Sequence, residues 1–293
     1  MQINADQRAA LVTKINASKL PESKLKRFLR SPYKNTVVKL CRKLGLNYGV
    51  KVKLAWGDQF KGIIPENVTA RIWRYGQYEE STSSFIIQNL KPDSCFIDIG
   101  PHFGYFTLLS SRLVGPKGRV LAIEAMPDTY AILQSNIAIN SLKNVTALEV
   151  AASNGSGTLV FKDFGILHSS LNTSAKPRGS VNKLEKEITV KSIAMDDVVA
   201  EQDFKRIDMI KIDAESSEEL VLQGLTKTLT RDHPVVIIEL GGHEVDEVED
   251  GRVNYIFEYM AKFGYRGYLF DGSHLTEILQ TQNLSYSNVI FKV

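Results

Sequence analysis

Two acids and a glycine loop carry the most legible chemistry in this chain. Asp98 ends a short apolar run (Cys95, Phe96, Ile97) and leads into Gly100-Pro101-His102-Phe103-Gly104, and a helical pattern follows from about Phe103 to Val114. Strand, glycine turn and helix together present a helix N-terminus to a ligand outside the carboxyl end of the strand. Gly100 suits the sharp turn, and Gly104 suits close approach of the helix to the strand. A dinucleotide loop needs a further glycine between these two so that backbone can touch a pyrophosphate, and His102 stands there instead. No Gly-Lys-Ser/Thr follows, which excludes a P-loop.

Glu124 closes the next apolar run, about twenty residues beyond the loop, where an acid suits a bidentate hydrogen bond to two ribose hydroxyls. Taken alone it is equally a surface carboxylate near a helix start. Asp98, the loop and Glu124 together describe a nucleoside pocket with no diphosphate and with an acid near an ammonium group. That combination suits S-adenosylmethionine better than NAD.

A second group of acids suits group transfer. Methyl transfer from a sulfonium is an in-line displacement, for which an acceptor must be aligned and often deprotonated. Asp213 and Glu215 follow the apolar run that ends at Ile212, with Glu215 the candidate base and Asp213 in the cleft. Acids at a helix start also serve the helix dipole, and that reading is taken for Glu218 and Glu219. His168, in a long polar loop, and His243, after Val235–Leu240, are further candidates for base or acceptor contact, although a lone loop histidine is more often surface decoration. Glu239 suits the acceptor side, and Asp196-Asp197 reads as a helix start. Cys41 and Cys95 show no metal-ligand spacing, and no metal is expected.

The elements that must position these groups alternate between strand and helix. Residues 1–45 read as mostly helical, with breaks at Pro21 and Ser31–Pro32. Lys51–Trp56 and Phe60–Ile64 read as a β-hairpin, followed by helices over Asn67–Trp73 and Ser81–Leu90. Strands are expected at Arg119–Ala125, Val145–Ala152, Arg206–Asp213, Val235–Leu240, Tyr265–Phe270 and Asn288–Val293. Helices are expected over Pro127–Leu142, Ser217–Thr230 and about Val253–Phe263. Thr158–Lys162 and Ile188–Val190 bracket a long polar stretch of the length usual for a functional or disordered loop. The alternation predicts a doubly wound, mostly parallel α/β sheet over 76–293, with 1–75 as a helical and β-hairpin extension.

Composition bounds the function class. The 293 residues are 43% hydrophobic and 24% charged, as in a globular protein with a sizeable core. No apolar run reaches the length that spans a bilayer, and the N-terminus lacks a signal-peptide layout, so a cytoplasmic location is expected. The net charge of +3 conceals an asymmetry, because the first 53 residues are strongly basic and the remainder is acidic. In the basic segment Val37, Leu40, Cys41 and Leu44 fall at helical spacing among Lys39, Arg42 and Lys43. This stripe suits packing on the rest of the chain or, as the second reading, peripheral contact with glycolipid or the inner face of a membrane. The acidic second half and the missing Asn-Pro-Pro-Tyr signature speak against a nucleic-acid partner.

Four stretches, DIGPHFGYFTLL from Asp98, RVLAIEAMP from Arg119, Asn136–Val145 and KIDAESSEELVLQG from Lys211, resemble in this order the FkbM-type methyltransferases. The resemblance covers roughly Tyr78–Leu240 and implies a Rossmann-like class I methyltransferase sheet of seven strands, the last of them antiparallel, with S-adenosylmethionine as cofactor. It implies a cofactor set of Asp98, Gly100, His102, Gly104, Glu124, Ala125, Ala152, Asn154 and Asp213. The implied reaction is O-methylation of a sugar, glycan, glycolipid or related natural product. Pro101-His102 replaces the family's usual Ala-Asn, Ala125 its proline, Ser216 its glycine, and Asn154 an aspartate that would meet adenine. Those departures keep open a non-catalytic protein that retains the fold, beside a protein or nucleic-acid methyltransferase.

Overall fold

The structure, a computed structural model, describes residues 2–17, 23–171, 186–214, 217–240, 247–279, 284 and 287–293. The chain begins with helices α1 (Ala5–Ala17), α2 (Lys24–Arg30) and α3 (Pro32–Leu44), then an antiparallel hairpin of β1 (Tyr48–Lys53) and β2 (Gln59–Ile64). Helices α4 (Asn67–Tyr75) and α5 (Glu80–Asn89) lead to β3 (Cys95–Ile99), α6 (Tyr105–Val114), β4 (Arg119–Glu124), α7 (Pro127–Ile139) and β5 (Val145–Glu149). Strands β6 (Ala151–Ser153), β7 (Gly157–Asp163) and β8 (Lys186–Ala194) form a separate three-stranded sheet, and a 3-10 turn spans Ile166–Leu171. The rest comprises α8 (Met195–Glu201), β9 (Met209–Ile212), α9 (Glu218–Gln223), α10 (Thr226–Asp232), β10 (Val235–Leu240), α11 (Glu247–Ala261), β11 (Arg266–Phe270), β12 (Leu275–Glu277) and β13 (Ser287–Lys292).

The large sheet has the order β12-β11-β13-β10-β9-β3-β4-β5. Strands β10, β9, β3, β4 and β5 run parallel, and β13 enters antiparallel between β10 and β11. These are the seven expected strands, with the short β12 added at one edge. The central strands are almost continuously apolar because helices cover both faces. Phe96, Val120, Met209 and Ile237 face one core layer with α1, α5, α6 and α7. Their neighbours Ile97, Leu121, Ile210 and Ile238 face the other, with α8, α9, α10 and α11. One step along each strand changes layer, as a two-residue period demands. Chain order reverses between β3 and β9, which opens a crevice at the carboxyl edge of the sheet.

Residues 1–75 share this core. Ile3, Leu11, Ile15, Leu54 and Phe60 belong to the apolar layer that contains Phe96 and Leu108. The Arg8 guanidinium donates to the Ile87 carbonyl at 3.1 Å and to the Leu113 carbonyl at 2.6 Å, so it satisfies the open C-terminal ends of α5 and α6. Asn136 and Asn140, one turn apart on α7, act as a substitute strand for β2. The Asn136 amide accepts from Lys61 N at 2.7 Å and donates to Lys61 O at 2.9 Å, and Asn140 repeats the exchange with Gln59. Asn136 also donates to the Phe103 carbonyl at 2.8 Å, which ties the hairpin to the glycine loop.

Three local expectations differ in the structure. In α3 the buried face is Asn35, Val38 and Cys41, seated on Ile64 and Ala70, while Leu40 and Leu44 stand exposed. The strand expected over Val145–Ala152 divides at Val150, and its second half leaves for the smaller sheet. The helix expected over Ser217–Thr230 breaks after Gln223, where Gly224 lies so close to β6 that a Cβ would sit 1.9 Å from the Ser153 carbonyl oxygen. No helix among the described residues is long and apolar enough to cross a membrane.

Candidate active site

A cavity of about 490 Å³ lies at the carboxyl edge of the sheet. Its floor is the glycine loop. Gly100 adopts φ 72°, and its N–H donates to the Ile123 carbonyl at 3.0 Å. An added Cβ would meet the Asp213 carbonyl oxygen at 1.9 Å, so glycine is required for approach as well as for conformation. Asp213 N in turn donates to the Ile99 carbonyl at 3.0 Å, and the ends of β3, β4 and β9 are thereby laced around one residue.

His102 also lies in the left-handed region, at φ 54°. Among residues with a side chain, asparagine, aspartate and histidine tolerate that region best, so His102 can hold this backbone. Its N–H donates to Glu124 Oε2 at 3.1 Å, and its ring stacks on Phe103 with centroids 3.9 Å apart. Nε2 lies 2.7 Å from Ser169 Oγ, while Nδ1 is buried without a partner. Burial pushes the imidazole pKa down, which favours the neutral ring. The His102–Ser169 contact brings the 3-10 turn down onto the cavity. His168, one residue earlier, faces solvent.

Glu124 is 6% exposed and lines the cavity. Besides the His102 amide it accepts Met126 N at 3.0 Å, which fixes the carboxyl plane. Burial pushes its pKa up to about 8 in spite of the two amide donors. Between the ordinary carboxyl value of about 4.3 and that raised value, the folded protein holds a proton that the unfolded chain has lost. Stability of the free protein is therefore expected to fall as pH rises from about 5 to about 8. Glu124→Gln should flatten part of that slope in thermal unfolding scans, and identical slopes in both proteins would refute the assignment.

Asp98 is completely buried, with Oδ2 accepting from Thr107 Oγ1 at 2.6 Å. Its Oδ1 has no partner, and burial pushes its pKa up to about 6. A buried carboxyl oxygen left open beneath the loop is the feature an ammonium group would satisfy. Asp98 itself lies outside the cavity lining, whereas Ala125 and Ala152 belong to it, with Leu159 and Phe161 of β7. Gly104 supports the loop from below and caps α6, outside the lining. Asn154 is exposed and donates to Gln223 Oε1 at 2.7 Å, also outside the lining.

Across the loop from Glu124, Lys211, Asp213 and Glu239 line the cavity. Lys211 is 2% exposed, with Nζ 3.0 Å from Asp213 Oδ2 and 5.0 Å from the centroid of the Phe106 ring. Burial alone would lower the ammonium pKa, but Asp213, Glu79, Glu239 and Asp98 outweigh it and hold the value above the ordinary lysine range. Asp213 is held below the carboxylate range: burial opposes ionisation, and Lys211 overcomes it. Burial, then Asp213 and Glu79, push Glu239 well up, so Glu239 keeps a proton and shares a hydrogen bond with Asp213.

Oxygens of Glu79, Asp213 and Glu239 all lie within 4.8 Å of one another. Three carboxylates at such spacing can bridge a cation, and here the Lys211 ammonium already supplies a positive charge to them. Sequence reasoning missed Lys211, Glu79 and Ser169, as well as Arg71 and Arg74 of α4, which also line the cavity. The available signal for Lys211 was a lone cation inside the apolar strand Met-Ile-Lys-Ile. Glu215 and His243 lie outside the described residues.

Comparison with known proteins adds sequence kinship to this geometry. A family model described as "Methyltransferase FkbM domain" matches residues 98–267. Methyltransferase sdnD of Sordaria araneosa is 28% identical over 197 residues, spanning 55% of this chain and 76% of its own length. Hexuronic acid methyltransferase AglP of Haloferax volcanii is 24% identical over 174 residues, spanning 57% of this chain and 65% of its own. Among solved structures, Methyltransferase FkbM from Methylobacillus flagellatus is 14% identical with a TM-score of 0.44, covering 92% of this chain and 60% of that one.

Proposed function

The chain belongs to the FkbM methyltransferase family, and on that premise we propose that it transfers the methyl group of S-adenosylmethionine to a hydroxyl oxygen of a sugar, glycan or related natural product. The observation that carries this reading is that Glu124 and the Asp213–Glu239 pair line one cavity at the carboxyl edge of the sheet. When bound, S-adenosylmethionine supplies a methyl group activated by attachment to a positively charged sulfur. The residues present suit it: Glu124 would take the ribose hydroxyls, Ala125 and Ala152 the purine side, and Asp98, buried beneath the glycine loop, would act on the amino group through its charge. The similarity to AglP, whose name specifies a hexuronic acid acceptor, supports a sugar as acceptor.

In this reading Asp213 receives the acceptor's proton. Lys211 keeps its carboxylate ionised in a buried place, and the proton on Glu239 gives the pair a second hydrogen-bond state once Asp213 is protonated. His102, neutral and hydrogen-bonded to Ser169, holds the 3-10 turn of Ile166–Leu171 over the pocket, which would exclude water from it. Titration calorimetry with S-adenosylmethionine and S-adenosylhomocysteine tests the proposal. Binding of both is expected, together with a loss of about tenfold or more in Glu124→Ala, the scale of one or two charge-assisted hydrogen bonds. A folded protein that binds neither would overturn it.

A further inference from the structure

Helix α4 carries Arg71 and Arg74 one turn apart, and both line the cavity together with Asn67 at the head of the same helix. Internal contacts leave donors of this pair unused. Arg71 gives one nitrogen to Glu80 Oε2 at 2.8 Å, but its Nε is buried and has no hydrogen-bond partner. Arg74 donates to two neutral oxygens, the Ala70 carbonyl at 2.7 Å and Asn35 Oδ1 at 3.1 Å. Burial lowers its pKa, and beyond Tyr75 the charged groups that act on it most are two further cations, Arg42 and Arg71. Among the described residues no ion pair neutralises Arg74.

Half-buried guanidinium groups set side by side are costly unless an anion meets them. Their planar forks match carboxylate and phosphate oxygens. The cavity lining thus combines the acids Glu124, Asp213 and Glu239 at strand ends with two arginines from α4. An acceptor that reaches from the Asp213–Glu239 pair to α4 meets cations at its far end.

We propose that Arg71 and Arg74 form an anion subsite for the acceptor, which makes the substrate an acidic one: a sugar carrying a carboxylate or phosphate rather than a neutral sugar. This rests on the methyltransferase reading above and narrows its acceptor. The other source of a carboxylate in the cavity is the methionine end of the cofactor, and the experiment separates the two.

The test is calorimetric titration of the full chain, saturated with S-adenosylhomocysteine, with glucuronate, inorganic phosphate and glucose as probes. The unsubstituted protein is expected to bind glucuronate or phosphate at least about tenfold more tightly than glucose. Arg74→Ala should abolish that preference and leave S-adenosylhomocysteine affinity within about twofold. Arg74→Gln, which keeps a side chain able to hydrogen-bond, serves as the second variant where the alanine protein folds poorly. An equal response to glucuronate, phosphate and glucose, or an anion preference unchanged in both variants, overturns the proposal. So does a large loss of S-adenosylhomocysteine affinity in either variant, because it assigns the arginines to the cofactor. Failure of the unsubstituted protein to bind S-adenosylhomocysteine removes the methyltransferase reading instead, and the same titrations on the free protein still decide the anion subsite.

Discussion

Lys211→Met is expected to destabilise the folded protein by about 3–5 kcal/mol, the range found when one member of a buried charge pair is removed. The methionine fills similar space, so the loss is electrostatic. It strands Asp213, 3.0 Å from the missing ammonium, beside Glu79 and Glu239 in a crevice that leaves its side chain only 21% exposed. The sign of the pH dependence follows. In the native protein Lys211 holds the Asp213 pKa down; without it Asp213 shares the fate of Glu239 and is pushed up. A raised folded-state carboxyl pKa gives stability that is present at low pH and lost as pH rises. The deficit should therefore shrink at about pH 5 and widen at about pH 8, measured by thermal unfolding of both proteins across that window. A deficit that stays the same at both pH values, or that is under about 1 kcal/mol, would mean that the ammonium does not neutralise this cluster.

Gly100→Ala is the second large expected effect, and it falls on binding more than on folding. The residue sits at φ 72°, which costs a side chain on the order of 1–2 kcal/mol. The greater cost is steric, because the new Cβ would lie 1.9 Å from the backbone oxygen of Asp213. Backbone cannot swing aside as a flexible side chain can, so either the loop lifts or the end of β9 moves, and both displace the groups around the cavity. S-adenosylhomocysteine affinity is expected to fall by about a hundredfold or more, with the circular dichroism spectrum retained. Gly45→Ala is the control: φ is 65° there, but nothing lies within 4 Å of the added Cβ, so it registers the conformational cost alone. Comparable loss of affinity in both variants would remove the steric account.

Several site residues were legible because their signals are local. The acid, glycine turn and helix from Asp98 to Val114 fall within a single strand-to-helix connection, and Glu124 needs only the next strand to reach the same edge. His168 and Asn154 show where local reading fails. Each lies in a segment near the cavity, but the backbone turns His168 outward and gives the contact to Ser169, and Asn154 pairs with Gln223 instead. The break in the helix expected over Ser217–Thr230 has a similar cause. Gly224 does not itself end a helix there, but its approach to Ser153 on β6 does, and that strand lies far away in the chain.

The α/β alternation, the two-sided burial of the central strands and the acids that flank the glycine loop are all readable along the chain. Each of these follows from patterns a few residues long: a continuous apolar run, a turn that demands glycine, a carboxylate at a strand end. Which charges meet, by contrast, depends on how the folded chain brings distant segments together. Lys211 is held by acids from the turn before α5, from the residue after β9 and from β10, and the arginines that share their cavity come from a helix of the N-terminal extension. Burial and charge pairing are properties of groups brought together by the folded chain, and the same residues read along the sequence are separate solvated ions.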